Sequence, residues 1–208
     1  CCPAFVNMIK QHFPQLLDNM STTVSPMCAV SRYLKTVRPG VITVFIGPCI
    51  AKKSETLDLN IKDNADYAMT FGEMRAMLRA KDITLEPEDN SYQESSVFGK
   101  RFGNGGGVSA AVLECFKEMG EDIEPKVAKC SGGAECKKAL LLLKVGKLPE
   151  DFIEGMACVG GCVGGPSKHK AETEAKKDRD ALIASADGRK VLENLKKYPM
   201  DQFSMHRH

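Results

Sequence analysis

VITVFIGPCIAKKSE, residues 41–55, decides more of the fold than any other stretch of this chain. Val41 to Ile46 is a short apolar run rich in β-branched residues, interrupted only by Thr43 and one strand long, which predicts a buried parallel strand ended by Gly47 and Pro48. Cys49 then falls at the strand's C-terminal end, where open α/β sheets collect their ligands. Downstream, Tyr67–Thr70 is expected as a short strand, Phe71–Arg79 as a helix and the polar stretch Glu86–Ser96 as a loop. After a turn over Gly103–Gly107 come a helix over Val108–Met119, a strand near Lys126–Lys129, a helix over Ala134–Val145 and a strand over Phe152–Ala157. This alternation argues for parallel α/β layers. Upstream, Phe5, Met8, Ile9, Phe13, Leu16 and Leu17 recur at helical spacing with a kink expected at Pro14, so Cys1 and Cys2 sit just before a helix. Residues 167–208 are lysine-rich and read as a C-terminal extension of one or two amphipathic helices.

Composition excludes several functions. Twenty-nine basic against 27 acidic residues leave a net charge of +2, too balanced to imply nucleic acid or a membrane surface as partner. No apolar run reaches the length that spans a bilayer and no secretory leader opens the sequence, so a cytoplasmic protein is expected. A chain that begins Cys-Cys-Pro without Met reads as a fragment. Nine cysteines, an odd number in 208 residues, favour metal or thiolate chemistry in a reducing compartment over a disulfide framework.

Three segments concentrate that chemistry: CCP (1–3), FIGPCIAKKSE (45–55) and EGMACVGGCVGGP (154–166). Each puts a thiol at a strand end or a helix start, and the glycines around Cys158 and Cys162 leave room for a bulky inorganic group and let backbone amides face sulfide. Four thiolates from three segments meet the need of a four-iron four-sulfur cluster. Structural zinc, which more often uses tandem tight pairs, and unligated thiols stay as alternatives.

The order and spacing of CCPAF, GPCIAKKSE and EGMACVGGCVGG, continued through FGNGGGV (102–108), resemble the signature segments of the FeFe-hydrogenases over residues 1 to about 166. The resemblance implies that family's two-lobed α/β fold, with parallel sheets flanked by helices, here incomplete at the N-terminus, and the cluster in the cleft between the lobes. Residues 1–166 would be the cluster-binding region and 167–208 the helical extension. It further implies reversible interconversion of H₂ with protons and electrons at a four-iron four-sulfur cubane joined to a two-iron subcluster carrying carbonyl, cyanide and dithiolate ligands. A ferredoxin-like carrier would exchange the electrons, and an upstream lobe or accessory iron-sulfur domains would complete the protein.

By the same resemblance, Cys2, Cys49, Cys158 and Cys162 would bind the cubane, with Cys162 also bridging to the two-iron unit. Cys1 would pass protons to that unit, Lys52 would hydrogen-bond a cyanide, and Ser21 would belong to the proton relay. Ser25, Pro26 and Met156 would line the pocket, and Glu55 would be structural. Two departures stand out: Gly47 where catalytic members carry Met, and Met27 where they carry Gln. Both positions touch the two-iron unit in the family, which keeps an H₂-sensing member as one alternative. A non-catalytic cytosolic iron-sulfur assembly protein of the same architecture is the other. Cys28, Cys115, Cys130 and Cys136 match no ligand position and read as plain thiols; Cys130 and Cys136 are expected to meet only by accident of loop geometry.

Overall fold

The structure, a computed structural model, describes residues 1–86 and 95–207. In chain order the helices are α1 (Pro3–His12), α2 (Pro26–Val37), α3 (Ala51–Thr56), α4 (Phe71–Ala80), α5 (Val97–Lys100), α6 (Gly107–Met119), α7 (Gly133–Lys144), α8 (Glu172–Ala184) and α9 (Val191–Leu195). The strands are β1 (Val44–Gly47), β2 (Tyr67–Thr70), β3 (Val127–Ser131) and β4 (Phe152–Met156). They pair in parallel as two separate sheets, β1 with β2 and β3 with β4, and each pair is joined by a helical crossover, as parallel pairing requires. These two sheets and their helices are the two lobes.

Helix α1 links them. Its N-cap is Cys2, Pro3 occupies the first turn where a missing N–H costs nothing, and the chain breaks at Phe13 before a 3₁₀ turn over Pro14–Asn19, the kink that Pro14 predicted. The helix packs against α3 of the first lobe and against α7 and β4 of the second. Ile9, Phe13 and Leu16 bury against Leu140 of α7, with Phe5 and Ile153 alongside. Gly155 of β4 makes this approach possible, since a Cβ there would lie 2.5 Å from the Phe5 ring.

The strand at the opening stretch is shorter and less buried than its composition predicts. It begins at Val44, and Ile42, Val44 and Ile46 are 71%, 44% and 41% exposed. A parallel strand is buried only when helices cover both faces, and this face is uncovered among the described residues. Most of the expected Glu86–Ser96 loop lies outside the described residues; Ser96 itself caps α5 through its side chain. The expected amphipathic tail is also corrected in part: α8 buries no residue and is laced on its surface by the Lys176–Glu172 ion pair.

Cys130 and Cys136, expected to be apart, share one buried cluster with Ala139. Strand β3 turns directly into α7 at Gly132, whose φ of +99° suits glycine, and the helix folds back over its own strand. Burial comes first in pushing the Cys136 thiol up to about 12, with Cys130 adding to it. Both are inert core thiols.

Candidate functional site

Each candidate cysteine sits just after a strand or at the start of a helical turn, and the three motifs meet. Cys49 follows β1 by two residues, and Cys158 follows β4 by two. Between them the loops touch: Pro48 O accepts from Ser167 N at 3.1 Å, and a Cβ on Gly165 would sit 2.6 Å from the same carbonyl. Cys2 arrives on α1, which packs on β4 just before the third motif. The glycine turn completes the enclosure, since a Cβ on Gly103 would be 3.7 Å from Cys162 Cβ and one on Gly161 would be 2.2 Å from Gly103 O.

Their electrostatics agree with this convergence. Desolvation is the first cause raising the Cys162 thiol to about 11, and Cys2, Cys49 and Cys158 each push it further. Cys158 is raised by burial and then by Cys2 and Cys49. Cys162 is exposed to solvent at its surface while protein atoms surround it closely enough to desolvate the thiol. Such thiols ionise only where a positive centre stabilises the thiolate. No three His, Cys, Asp or Glu side chains among the described residues are placed to share a single metal ion. A cubane does not ask for that, because each thiolate binds its own iron. The chemistry of the donor set, four thiols with glycines beside Cys162, suits such a cluster.

Lys52 is not a surface lysine. It is 7% exposed, donates to Ser25 Oγ at 3.0 Å and to Glu55 Oε2 at 2.8 Å, and lies 5.7 Å from the centroid of the Phe45 ring. That ring occupies the space above Gly47, where a Cβ would stand 2.7 Å from it. Ser25 N-caps α2 and accepts from Cys28 N at 3.3 Å, which fixes its hydroxyl for Lys52. Cys1, Ser25 and Glu55 line one cavity. Met27 and Met156 are 8% and 3% exposed, whereas Pro26 and Ser21 lie at the surface, Ser21 Oγ accepting from Thr23 N.

One contributor was not singled out from the sequence. Glu154, 7% exposed in β4, accepts from Gly106 N at 3.0 Å and Val108 N at 3.2 Å through Oε1, and from Ser109 N at 2.8 Å through Oε2. A strand carboxylate thus caps α6 and holds the glycine turn that backs Cys162.

Residues 1–166 match the family described as the iron only hydrogenase large subunit, C-terminal domain, and the chain belongs to that family. It is 27% identical over 236 residues to iron hydrogenase 1 of Clostridium pasteurianum, covering 90% of this chain and 41% of that protein. To the periplasmic Fe hydrogenase large subunit of Nitratidesulfovibrio vulgaris it is 30% identical, covering 79% and 49%. A probable cytosolic Fe-S cluster assembly factor of Brugia malayi is 25% identical, covering 94% and 54%. Among solved structures, a variant of the FeFe-hydrogenase HydA1 from Chlamydomonas reinhardtii superposes with a TM-score of 0.68 at 19% identity, covering 94% of this chain and 68% of that one. The chain thus spans about half the length, or less, of the curated relatives it matches. No helix among the described residues is long and apolar enough to cross a membrane.

Proposed function

We propose that this chain is the cluster-binding part of an FeFe-hydrogenase that interconverts H₂ with protons and electrons. The observation that carries the reading is the meeting of Cys2, Cys49, Cys158 and Cys162: the first three, from three separate motifs, all push the Cys162 thiol up, and Cys2 and Cys49 push Cys158 up. These four would hold a four-iron four-sulfur cubane, Cys162 also bridging to a two-iron subcluster with carbonyl, cyanide and dithiolate ligands. That pair of groups, when bound, supplies the redox chemistry of H₂.

The remaining residues serve it. Lys52, in a pocket walled by Phe45 and held by Ser25 and Glu55, presents an ammonium suited to an anionic ligand such as cyanide. The Cys1 thiol, lining the same cavity as Ser25 and Glu55, would carry a proton, and Ser21 would extend the relay toward solvent. Met156, buried at the end of β4, would exclude water from the pocket, and Pro26, at the surface, would line its rim. A ferredoxin-like carrier, a cytoplasmic and anaerobic setting, and pocket walls supplied by sequence beyond this chain belong to the same proposal.

The main rival is a non-catalytic iron-sulfur assembly protein, supported by the likeness to the assembly factor. Cys1 and the buried Lys52 favour the enzyme, because a two-iron unit gives both a task. The Phe45 ring over Gly47, together with Met27, supports an H₂-sensing member as the second rival. Infrared spectra of the anaerobically matured full-length protein discriminate: carbonyl and cyanide bands together with H₂ evolution from a chemical reductant are expected. A protein that carries iron and sulfide but gives no such bands would belong with the assembly factors, and bands without turnover would mark a sensor.

A further inference from the structure

The family match ends at residue 166, yet the last residues of the chain return to the site. Val24 N donates to Met205 O at 2.8 Å and Arg207 N to Thr22 O at 2.9 Å, docking the tail against the segment before α2 as an antiparallel bridge. Thr22 Oγ1 and His206 Nδ1 share a hydrogen bond of 2.8 Å. Arg32 of α2, 6% exposed, clamps the tail from below. It donates to His206 O at 2.7 Å and also to Ser204 O, while its Nε holds Lys62 O at 3.0 Å.

This docking carries the Arg207 side chain, in a residue 9% exposed, into the wall of the cavity lined by Cys1, Ser25, Ser54, Glu55 and Asp58. Two polar atoms of that wall are buried without a hydrogen-bond partner in the protein: Glu55 Oε1 and Arg207 Nε. Leaving either unpaired costs about 1–3 kcal/mol, more for charged groups. Their chemistry is complementary, a carboxylate oxygen that only accepts and a guanidinium N–H that only donates. They do not meet directly. The cavity measures about 20 Å³, enough for one water by the usual requirement of roughly 10–15 Å³ and two to four polar partners.

We propose that one ordered water bridges Glu55 Oε1 and Arg207 Nε, and that Arg207 is thereby a positioning residue for Glu55. Glu55 spends its other oxygen on Lys52, so the tail sets the orientation of the buried lysine through a carboxylate held at both ends. The water lies in the cavity that Cys1 lines. The bridge itself does not rest on the hydrogenase reading, and its test needs no cluster.

A crystal structure of the metal-free full-length protein, at a resolution that shows waters, is expected to place a density peak within hydrogen-bond distance of both atoms. An empty cavity, a direct Glu55–Arg207 contact or a side chain from elsewhere in the protein at that point would overturn the proposal. Thermal unfolding gives a second test. Arg207→Met is expected to lower the midpoint by about 3–6 °C, the scale of one buried charged hydrogen bond in a chain of this size. Arg207→Lys, which keeps a donor, is expected to recover most of that loss. Arg207→Met combined with Glu55→Gln is expected to lose clearly less than the sum of the two single changes. Additive losses, or no recovery with Lys, would reduce Arg207 to packing of the tail and refute the bridge.

Discussion

Removing the Glu154 carboxylate tests whether the glycine turn is held from the sheet. Helix α6 begins at Gly107 with no side-chain cap of its own, and Gly106 before it is left-handed at φ +83°. Three amides at that start, those of Gly106, Val108 and Ser109, point at one carboxylate. Hydrogen bonds to a charged partner contribute about 1.5–3 kcal/mol each, and the helix dipole adds up to ~2 kcal/mol where geometry is partly buried. The three share one charge and do not add, so Glu154→Ala should cost about 4 kcal/mol, and Glu154→Gln, which keeps one acceptor but turns an NH₂ toward donors, about half of that. For a chain of this size that is a fall in melting temperature of roughly 10 °C and 5 °C. Urea unfolding of the full-length protein measures the free energies directly. The same turn backs Cys162, so iron retained after reconstitution should fall in Glu154→Ala although Glu154 is no ligand. A loss below about 1 kcal/mol in both variants would mean that water serves the three amides equally well, and the account of the turn would fail.

The two adjacent N-terminal thiols should separate in function. In the full-length protein Cys1→Ser is expected to retain iron while losing most H₂ turnover, because a hydroxyl is a far weaker acid than a thiol; Cys2→Ser should lose the cubane, because a hard oxygen substitutes poorly for thiolate on iron. Iron analysis beside H₂ evolution checks both, and iron loss confined to the Cys1 variant would reverse the assignment. Acid stability should report Asp66, whose carboxyl is held down to about 2 by Thr43 N–H first and then Lys35. A depressed carboxyl stabilises the fold above the unfolded value of 3.8, and that contribution drains as pH falls toward 2. Asp66→Asn should flatten unfolding free energy over this window, and an unchanged pH slope would discount the site.

The elements that sequence made legible are those with local causes. Tyr67–Thr70 emerges as β2 within the expected bounds, and β3, β4, α6 and α7 fall within one or two residues of their periodic signals. Burial of β1 was not legible, because an apolar run says that a strand can be covered on both faces, not that it is. Two adjacent lysines carry no local sign that Lys52 is buried; its burial depends on Glu55 three residues on and on Ser25 far upstream. Glu154 carried a usable signal: an acidic residue inside an apolar strand needs donors, and a glycine turn opening a helix needs an acceptor. Arg207 carried none, because nothing in a lysine-rich tail encodes a bridge to residues 22–24.

What joins these parts is the position of α1 between the lobes. The proposed ligands are dealt to both sides of it, Cys49 from the first sheet and Cys158 with Cys162 from the second, while Cys2 sits on the helix itself. Ionisation of Cys158 and Cys162 is opposed by burial first and then by the neighbouring thiols, which together raise Cys162 to about 11. A bound cluster would replace that opposition with four bonds spanning both lobes, so cluster binding and lobe docking become one equilibrium. The apolar contact of Phe5 with β4, tightened by Gly155, and the Glu154 cap on the opposite side then act as the protein's own part of that weld. They hold the cleft near its bound shape before the cluster arrives, which limits the order that cluster binding must impose.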